Sequence, residues 1–290
     1  LEAIYSFFAW AQSQAVDLIG CTEGKRAQDG IDWNAVLLHI EQKYRYQCIA
    51  SALQGDKSEM AFANQLFVRL DERPEHSLPA WPQGWYELTL TPDELTGTRH
   101  AVTASVLHIR LADGQERVLI YCCLSLSRDG TGQAYENLVH ELKVLRDKIG
   151  DAGDQAVVFG DFNLTIECRT RLCNEQAELL DAMEFQFGRR QQDISFLTFP
   201  HDGVPMAALD SFPEAILRNI SPGEVNCVSA LDAVCGRHAK EVRRFLPYRN
   251  FAEVPREWSV ERVVQQLKND PPPGDVKQWA SDHWILLFTV

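Results

Sequence analysis

The chain has 290 residues, 45% hydrophobic and 24% charged. That is enough apolar content for a sizeable core and too much for a disordered chain, a collagen-like repeat or a coiled coil. Its 41 acidic residues outnumber 28 basic ones, for a formal net charge of −13, which excludes a broad electrostatic glove for nucleic acid. A polyanionic substrate would need a local basic patch or carboxylate-bound metal ions.

No apolar run approaches the ~20 residues of a membrane span. The apolar stretch from Ile4 to Trp10 follows Glu2 and lacks the basic leader and small-residue cleavage site of a signal peptide. The eight cysteines (Cys21, Cys48, Cys122, Cys123, Cys168, Cys173, Cys227, Cys235) form no C-x-x-C pair, which argues against a zinc ribbon or a thioredoxin-type site. Several lie in apolar runs, so they read as reduced, packed thiols of an intracellular protein with no membrane partner.

Leu1, Ile4, Phe7, Phe8 and Ala11 recur at helical spacing, predicting an amphipathic helix over Leu1 to Gln14. Val16 to Glu23 is a short apolar strand that ends in a carboxylate. A second helix is expected over Trp33 to Tyr44 and a strand over Ala63 to Leu70. Residues 71–99 hold Pro74, Pro79, Pro82 and Pro92, so loops surround one expected strand, Trp85 to Leu90. Ala101 to Leu111 and Glu116 to Leu126 flank Asp113-Gly114, a strong hairpin signal. Leu138, Leu142, Leu145 and Ile149 fall on one helical face.

Ala156 to Phe159 reads as a buried strand broken at Gly160 and followed by Asp161-Phe162-Asn163. A helix is expected near Glu175 to Phe185, a strand over Val228 to Val234 and a helix near Ser259 to Lys268. Pro271 to Gly274 demands an extended loop. Ser281-Asp282-His283 then runs into a last apolar strand, Trp284 to Val290. Alternating strands and helices with one hairpin predict mixed sheets with helices outside. No repeat or linker divides residues 1–290, which read as one domain.

Glu23, Asp161, Asp232 and Asp282 each stand at or near the end of a short apolar strand. A charge beside a core strand is expensive unless it is paired or binds a cation. Four such carboxylates form an oxygen-rich ligand set suited to Mg2+ or Mn2+. Asn163 would share a side with Asp161 if the backbone stays extended. His283 supplies an acid, a base or an electrophile toward a phosphoryl oxygen. Taken singly, each signal also describes an ordinary turn, cap or solvated acid. Their joint order carries the argument.

Gly160-Asp161-Phe162-Asn163 resembles the G-D-[FL]-N motif of the endonuclease/exonuclease/phosphatase (DNase I-like) superfamily, and Ser281-Asp282-His283 resembles its terminal S-D-H. Asp17 to Glu23 is similar to the family's D-I-I-x-L-Q-E, Leu231-Asp232-Ala233-Val234 to its [IL]-D-Y-[IV] strand, and Thr198-Phe199-Pro200 to its T-F-P. The resemblance implies a four-layered α/β sandwich, with two mixed sheets packed face to face and helices outside. It also implies divalent-metal-dependent phosphodiester hydrolysis.

On that resemblance Glu23, Asp161 and Asp282 would hold the metal. Asp161 would orient or deprotonate the attacking water, Asn163 would hold the scissile phosphate, His283 would contact a phosphate oxygen, and Asp232 would support the site. The family's first strand, with its asparagine, should precede the opening helix; here it is absent or lies upstream of Leu1. Many members carry a histidine where this chain has Cys123.

Arg237, His238, Lys240, Arg243, Arg244 and Arg249 form the densest basic cluster, with Tyr248, Phe251 and Trp258 interleaved. This pattern suits either base stacking on a single strand or a solvated face over core aromatics. The expected activity is therefore a nuclease, RNA favoured. The competing expectation is an inactive relative serving as a scaffold with protein partners in a larger ribonucleoprotein assembly.

Overall fold

The computed structural model describes residues 1–25, 31–54, 62–70, 84–96, 101–111, 113–125, 131–183, 229–235, 238, 240–246, 250–255 and 285–290. The expected Thr198-Phe199-Pro200 loop, the helix near Ser259 to Lys268, the Pro271 to Gly274 loop and the Ser281-Asp282-His283 motif lie outside them. Among the described residues no helix is long and apolar enough to cross a membrane. Six described cysteines (Cys21, Cys48, Cys122, Cys123, Cys168, Cys173) are free thiols.

In chain order the elements begin with α1 (Glu2–Ser13), β1 (Leu18–Lys25) and α2 (Trp33–His39), which a π-helical turn (Ile40–Tyr44) extends. There follow β2 (Tyr46–Gln54), β3 (Phe62–Arg69), β4 (Gly84–Thr91), α3 (Asp93–Thr96), β5 (Val102–Arg110) and β6 (Glu116–Cys123). The rest comprises α4 (Gly132–Ala152), β7 (Ala156–Thr165), α5 (Ile166–Glu175), α6 (Ala177–Ala182), β8 (Ser229–Cys235), β9 (Lys240–Phe245), β10 (Glu253–Val254) and β11 (Ile285–Thr289). Three sheets result, ordered β1-β3-β2, β4-β5-β6-β7-β8 and β10-β9-β11.

The chain divides into two compact units. One comprises Phe8–Ser125 and Glu136–Asp161; the other comprises Leu1–Phe7, Leu126–Tyr135 and Phe162–Val290.

The first unit is layered. β1 and β2 both pair antiparallel with β3. Phe8 of α1 covers one face of this sheet, with ring centroids 5.0 Å from Phe67 and 5.6 Å from Tyr46. On the opposite face a Cβ at Gly20 would meet the Tyr121 ring at 2.5 Å, so β1 and β6 press together where a side chain is missing.

β4, β5 and β6 form an antiparallel meander. The Asp113-Gly114 turn closes the β5–β6 hairpin: Gly114 has φ +83° and Gln115 N donates to Asp113 Oδ1 at 2.9 Å. β6 then pairs parallel with β7, a connection that needs a crossover helix, and α4 supplies it. Leu138, Leu142 and Leu145 are fully buried along its inner stripe. Cys122, whose thiol is pushed up by burial and then by the Asp161 and Glu141 carboxylates, alternates with Tyr121 and so faces away from β1. Helix, sheet, sheet and helix are therefore stacked in that order, the α/β sandwich of DNase I-like proteins.

Two local readings are corrected. The strand is not broken at Gly160: β7 continues through it to Thr165. The helix expected near 175–185 is the short α6, and α5 precedes it where no helix was expected.

The second unit contains β8, the β10-β9-β11 sheet and the helices after β7. β9 pairs with both β10 and β11, which puts a strand inside the basic stretch read as a cluster of charges. Phe7 meets Phe251 edge-on at 6.2 Å. Tyr135 is bracketed by Arg171, whose guanidinium lies 4.2 Å from its ring, and by Glu175, which accepts its hydroxyl at 3.2 Å. Burial and the adjoining Glu175 push the Tyr135 hydroxyl up to about 12.

Candidate functional site

Of the six candidate residues, Asp161 is the one whose surroundings are most fully defined. It follows Gly160, which has φ +133°, and a Cβ there would sit 2.0 Å from the carbonyl oxygen of Cys122. Only glycine accepts both that backbone and that approach. The glycine of the Gly160-Asp161 pair is thus a contact point between β6 and β7, not a turn.

Register pairs Cys123 with Asp161, and Leu124 N donates to the Asp161 carbonyl at 2.8 Å. Asp161 is 2% exposed. The Cys123 thiol donates toward its Oδ2 across 3.9 Å. By alternation both residues share the face of Tyr121 and Phe159, whose rings lie 5.3 Å apart. That face looks toward β1.

Glu23 lies in β1 within a bulge. Pairing jumps from Cys21↔Gln65 to Gly24↔Ala63, so Thr22 and Glu23 together oppose Asn64. Bulges re-aim side chains and are common beside active sites. The Glu23 side chain itself is outside the described atoms.

Asn163 is half-buried near the end of β7 with φ +51°, a left-handed conformation that asparagine tolerates well. The extended backbone on which its shared side with Asp161 depended is interrupted at that residue. Asp232 lies in the middle of β8, and its side chain is likewise not described. Asp282 and His283 lie outside the described residues, just ahead of β11.

The structure therefore brings Asp161 together with Cys123. Among the described residues no group of three or more His, Cys, Asp and Glu is placed to hold a metal. The side chains of Glu23, Asp232, Asp282 and His283 lie outside the described ones. The chemistry of the candidate set, four carboxylates, one carboxamide and one imidazole, fits a hard divalent cation held by its oxygen ligands.

Sequence reasoning missed Glu141 of α4. It is fully buried, accepting from Thr91 Oγ1 at 2.6 Å, Ser125 N at 2.8 Å and Ser125 Oγ at 2.5 Å. Burial pushes its carboxyl above the usual glutamate range, while the bonds from Ser125 and Thr91 and the nearby His140 pull it down. Glu141 thereby joins the end of β4 to the residues just after Cys123. Its one trace in the sequence is an acid set between Leu138 and Leu142 on an otherwise apolar stripe.

Cys122, on the far side of β6 from Cys123, is held as a thiol. Burial first, then the carboxylates of Asp161 and Glu141, push it well above the ordinary cysteine range. Arg243 of the basic cluster is committed to a neighbouring strand: its Nη1 lies 3.4 Å from Glu253 Oε2, and its guanidinium sits over Phe245.

No protein-family model matches the chain, and no curated protein matches it by sequence. Solved structures do match it. An endonuclease/exonuclease/phosphatase from Beutenbergia cavernae superimposes with TM-score 0.58 at 13% identity, over 97% of this chain and 64% of the other. The chain thus spans less than two thirds of that protein's length. A humanized D. rerio TDP2 superimposes with TM-score 0.51 at 12% identity, over 99% of this chain and 91% of the other. At such identities the likeness establishes the fold.

Proposed function

Because the chain has the fold of the endonuclease/exonuclease/phosphatase superfamily, we propose that it is a divalent-cation-dependent phosphodiesterase, a nuclease acting on single-stranded nucleic acid, RNA first. One observation carries the reading. The Asp161 carboxylate of the Gly160 to Asn163 motif is buried at a place that glycine geometry makes unique, on a sheet face turned toward the strand that bears Glu23. A core carboxylate at the end of a strand is costly to bury unless hydrogen bonds, an ion pair or a cation compensate it.

In this reading Glu23, Asp161 and Asp282 hold Mg2+ or Mn2+ with oxygen ligands. When bound, such a cation polarises the phosphoryl oxygen and lowers the pKa of water. Asp161 orients the attacking water or takes its proton. Asn163 holds the scissile phosphate, and its left-handed backbone turns the chain there. His283 donates to a phosphoryl oxygen on which negative charge builds, and Asp232 supports that imidazole.

A second reading has its own observation. Cys123 stands where many relatives have histidine, and its single S–H points at Asp161. An imidazolium has two N–H groups, one for a carboxylate and one for a phosphoryl oxygen; a thiol has one donor, already engaged. This favours a weakened or inactive relative that acts as a scaffold with protein partners in a larger ribonucleoprotein assembly.

Labelled single-stranded RNA and DNA incubated with Mg2+ or Mn2+ separate the two. Cleavage that falls at least about 100-fold in Asp161→Ala and Asp282→Ala supports the enzyme. Cleavage surviving both substitutions removes the site, and none by clean wild type favours the scaffold.

A further inference from the structure

Asn64 is 4% exposed, yet its Oδ1 accepts no hydrogen bond. Its face follows from register. Leu66, two residues on, pairs with Gly20, whose missing side chain is replaced by the Tyr121 ring. Asn64 and Leu66 therefore both point into the space between the two sheets of the first unit. Leu66 and Val68 continue that row as buried apolar residues, so the row turns polar at Asn64 alone. It does so opposite the bulge that carries Glu23.

A buried amide oxygen without a donor costs stability that leucine at the same place would not. No described group of the chain donates to that oxygen. The donor is thus expected from outside the chain. A hydrated divalent cation fits, since Mg2+ retains several of its waters when carboxylates bind it, and acceptors behind those waters orient the whole set.

We infer that Asn64 is a positioning residue whose Oδ1 accepts a hydrogen bond from a water in the shell of a divalent cation held by Glu23. The inference rests on the cation site proposed above and names a residue outside its ligand set.

The test is a Mn2+ titration by electron paramagnetic resonance, with thermal unfolding in EDTA and in Mn2+. It compares wild type, Asn64→Leu, Asn64→Asp and Glu23→Gln. Asn64→Leu should unfold in EDTA no earlier than wild type and bind Mn2+ about 10- to 100-fold more weakly. Asn64→Asp should unfold earlier in EDTA and gain more from Mn2+ than wild type does, a rescue that no purely structural role predicts.

If Asn64→Leu unfolds earlier in EDTA or fails to fold, the oxygen is structural and the inference is overturned. It is also overturned if Glu23→Gln weakens Mn2+ while Asn64→Leu leaves the affinity within about twofold of wild type, well short of that loss. If Glu23→Gln binds Mn2+ as wild type does, the cation site itself fails and takes this inference with it.

Discussion

Replacing Gly160 by alanine tests the geometry that places Asp161. The new Cβ would lie 2.0 Å from the Cys122 carbonyl oxygen, an atom of the paired backbone that cannot swing away. Relief requires β6 and β7 to part by about 1 Å, against an ordinary spacing of about 4.8 Å. That weakens the flanking hydrogen bonds, each worth about 1 kcal/mol net. The φ of +133° adds backbone strain of about 1–3 kcal/mol for an L-residue. A loss of about 4 kcal/mol is expected, a large part of the ~5–15 kcal/mol that holds a domain together.

Urea unfolding monitored by tryptophan fluorescence reads the loss directly, and it appears as a melting temperature lower by about 8 °C or more. Gly153→Ala is the control. It also has positive φ (+60°) but meets nothing within 4 Å, so it should cost about 1 kcal/mol. Should Gly160→Ala unfold within about 1 kcal/mol of wild type, the close approach of β7 to Cys122 is wrong, since it is expected to outweigh conformational strain alone.

Glu141→Gln should be tolerated. Its oxygen can accept from Ser125 N while its amide donates to the Thr91 and Ser125 hydroxyls, whereas Glu141→Leu strands three donors and should cost about 3 kcal/mol by chemical denaturation. The Glu141 carboxyl titrates above the usual 4.5 in the folded state. The native state therefore holds its proton longer than the unfolded one. The resulting stability is complete below pH 4.5 and is lost as pH rises through the folded pKa, so wild type should lose ground to Glu141→Gln over that window. A flat difference between the two unfolding profiles would contradict this.

Cys123→His should raise phosphodiesterase activity by about 10- to 100-fold by adding a second donor, at an overpacking cost of about 1–3 kcal/mol because the site is buried. Unchanged turnover of a folded variant would refute the donor count. Gly20→Val should destabilise by about 2–3 kcal/mol through its contact with the Tyr121 ring, measured by thermal melting; no change would deny the facing of β1 and β6.

The elements that were legible are those where local chemistry and tertiary need coincide. The Asp113-Gly114 hairpin announces itself because its turn requires positive φ, and α4 because Leu138, Leu142 and Leu145 recur at helical spacing along one buried face. β2 was missed because Tyr46–Gln54 carries a single β-branched residue, Ile49, among alanines and glutamines. Pairing with β3 makes it a strand. β9 hid among charges, since Lys240–Phe245 has one apolar residue, Val242, before Phe245, and its neighbours β10 and β11 supply the order.

Gly160 misled in an instructive way. A glycine after an apolar run reads as a break, yet here it lets two strands approach. In the candidate site the motif residues were readable, while Glu141 and Asn64 were not. A buried polar group is defined by what surrounds it, and composition along one strand or helix does not carry that information.

Two independent constraints bear on the end of β6, one from the first residue of the motif and one from outside it. Gly160 brings the β7 backbone against Cys122 from one side. Glu141 holds Ser125, two residues past Cys123, from the helix. Between them the Cys123–Asp161 pair has little room to drift. A chain that had abandoned its chemistry would gain from relaxing this arrangement: leucine at 141 with apolar residues at 91 and 125 would avoid burying a carboxylate at all. Instead the carboxylate is buried and met by three donors, which fixes the neighbouring strand end at a cost in desolvation. The same reasoning applies to the orphaned oxygen of Asn64 on the facing sheet. Two unrelated polar expenses, one on each side of the space between β1 and β6, are difficult to explain for a scaffold whose only task is to keep its shape. Under the proposed function they are accounted for as holding charged groups at set positions. On the proposed hydrolase reading the substitution at Cys123 bears on how fast the site works, and the histidine variant measures how much of that speed a single missing donor has removed.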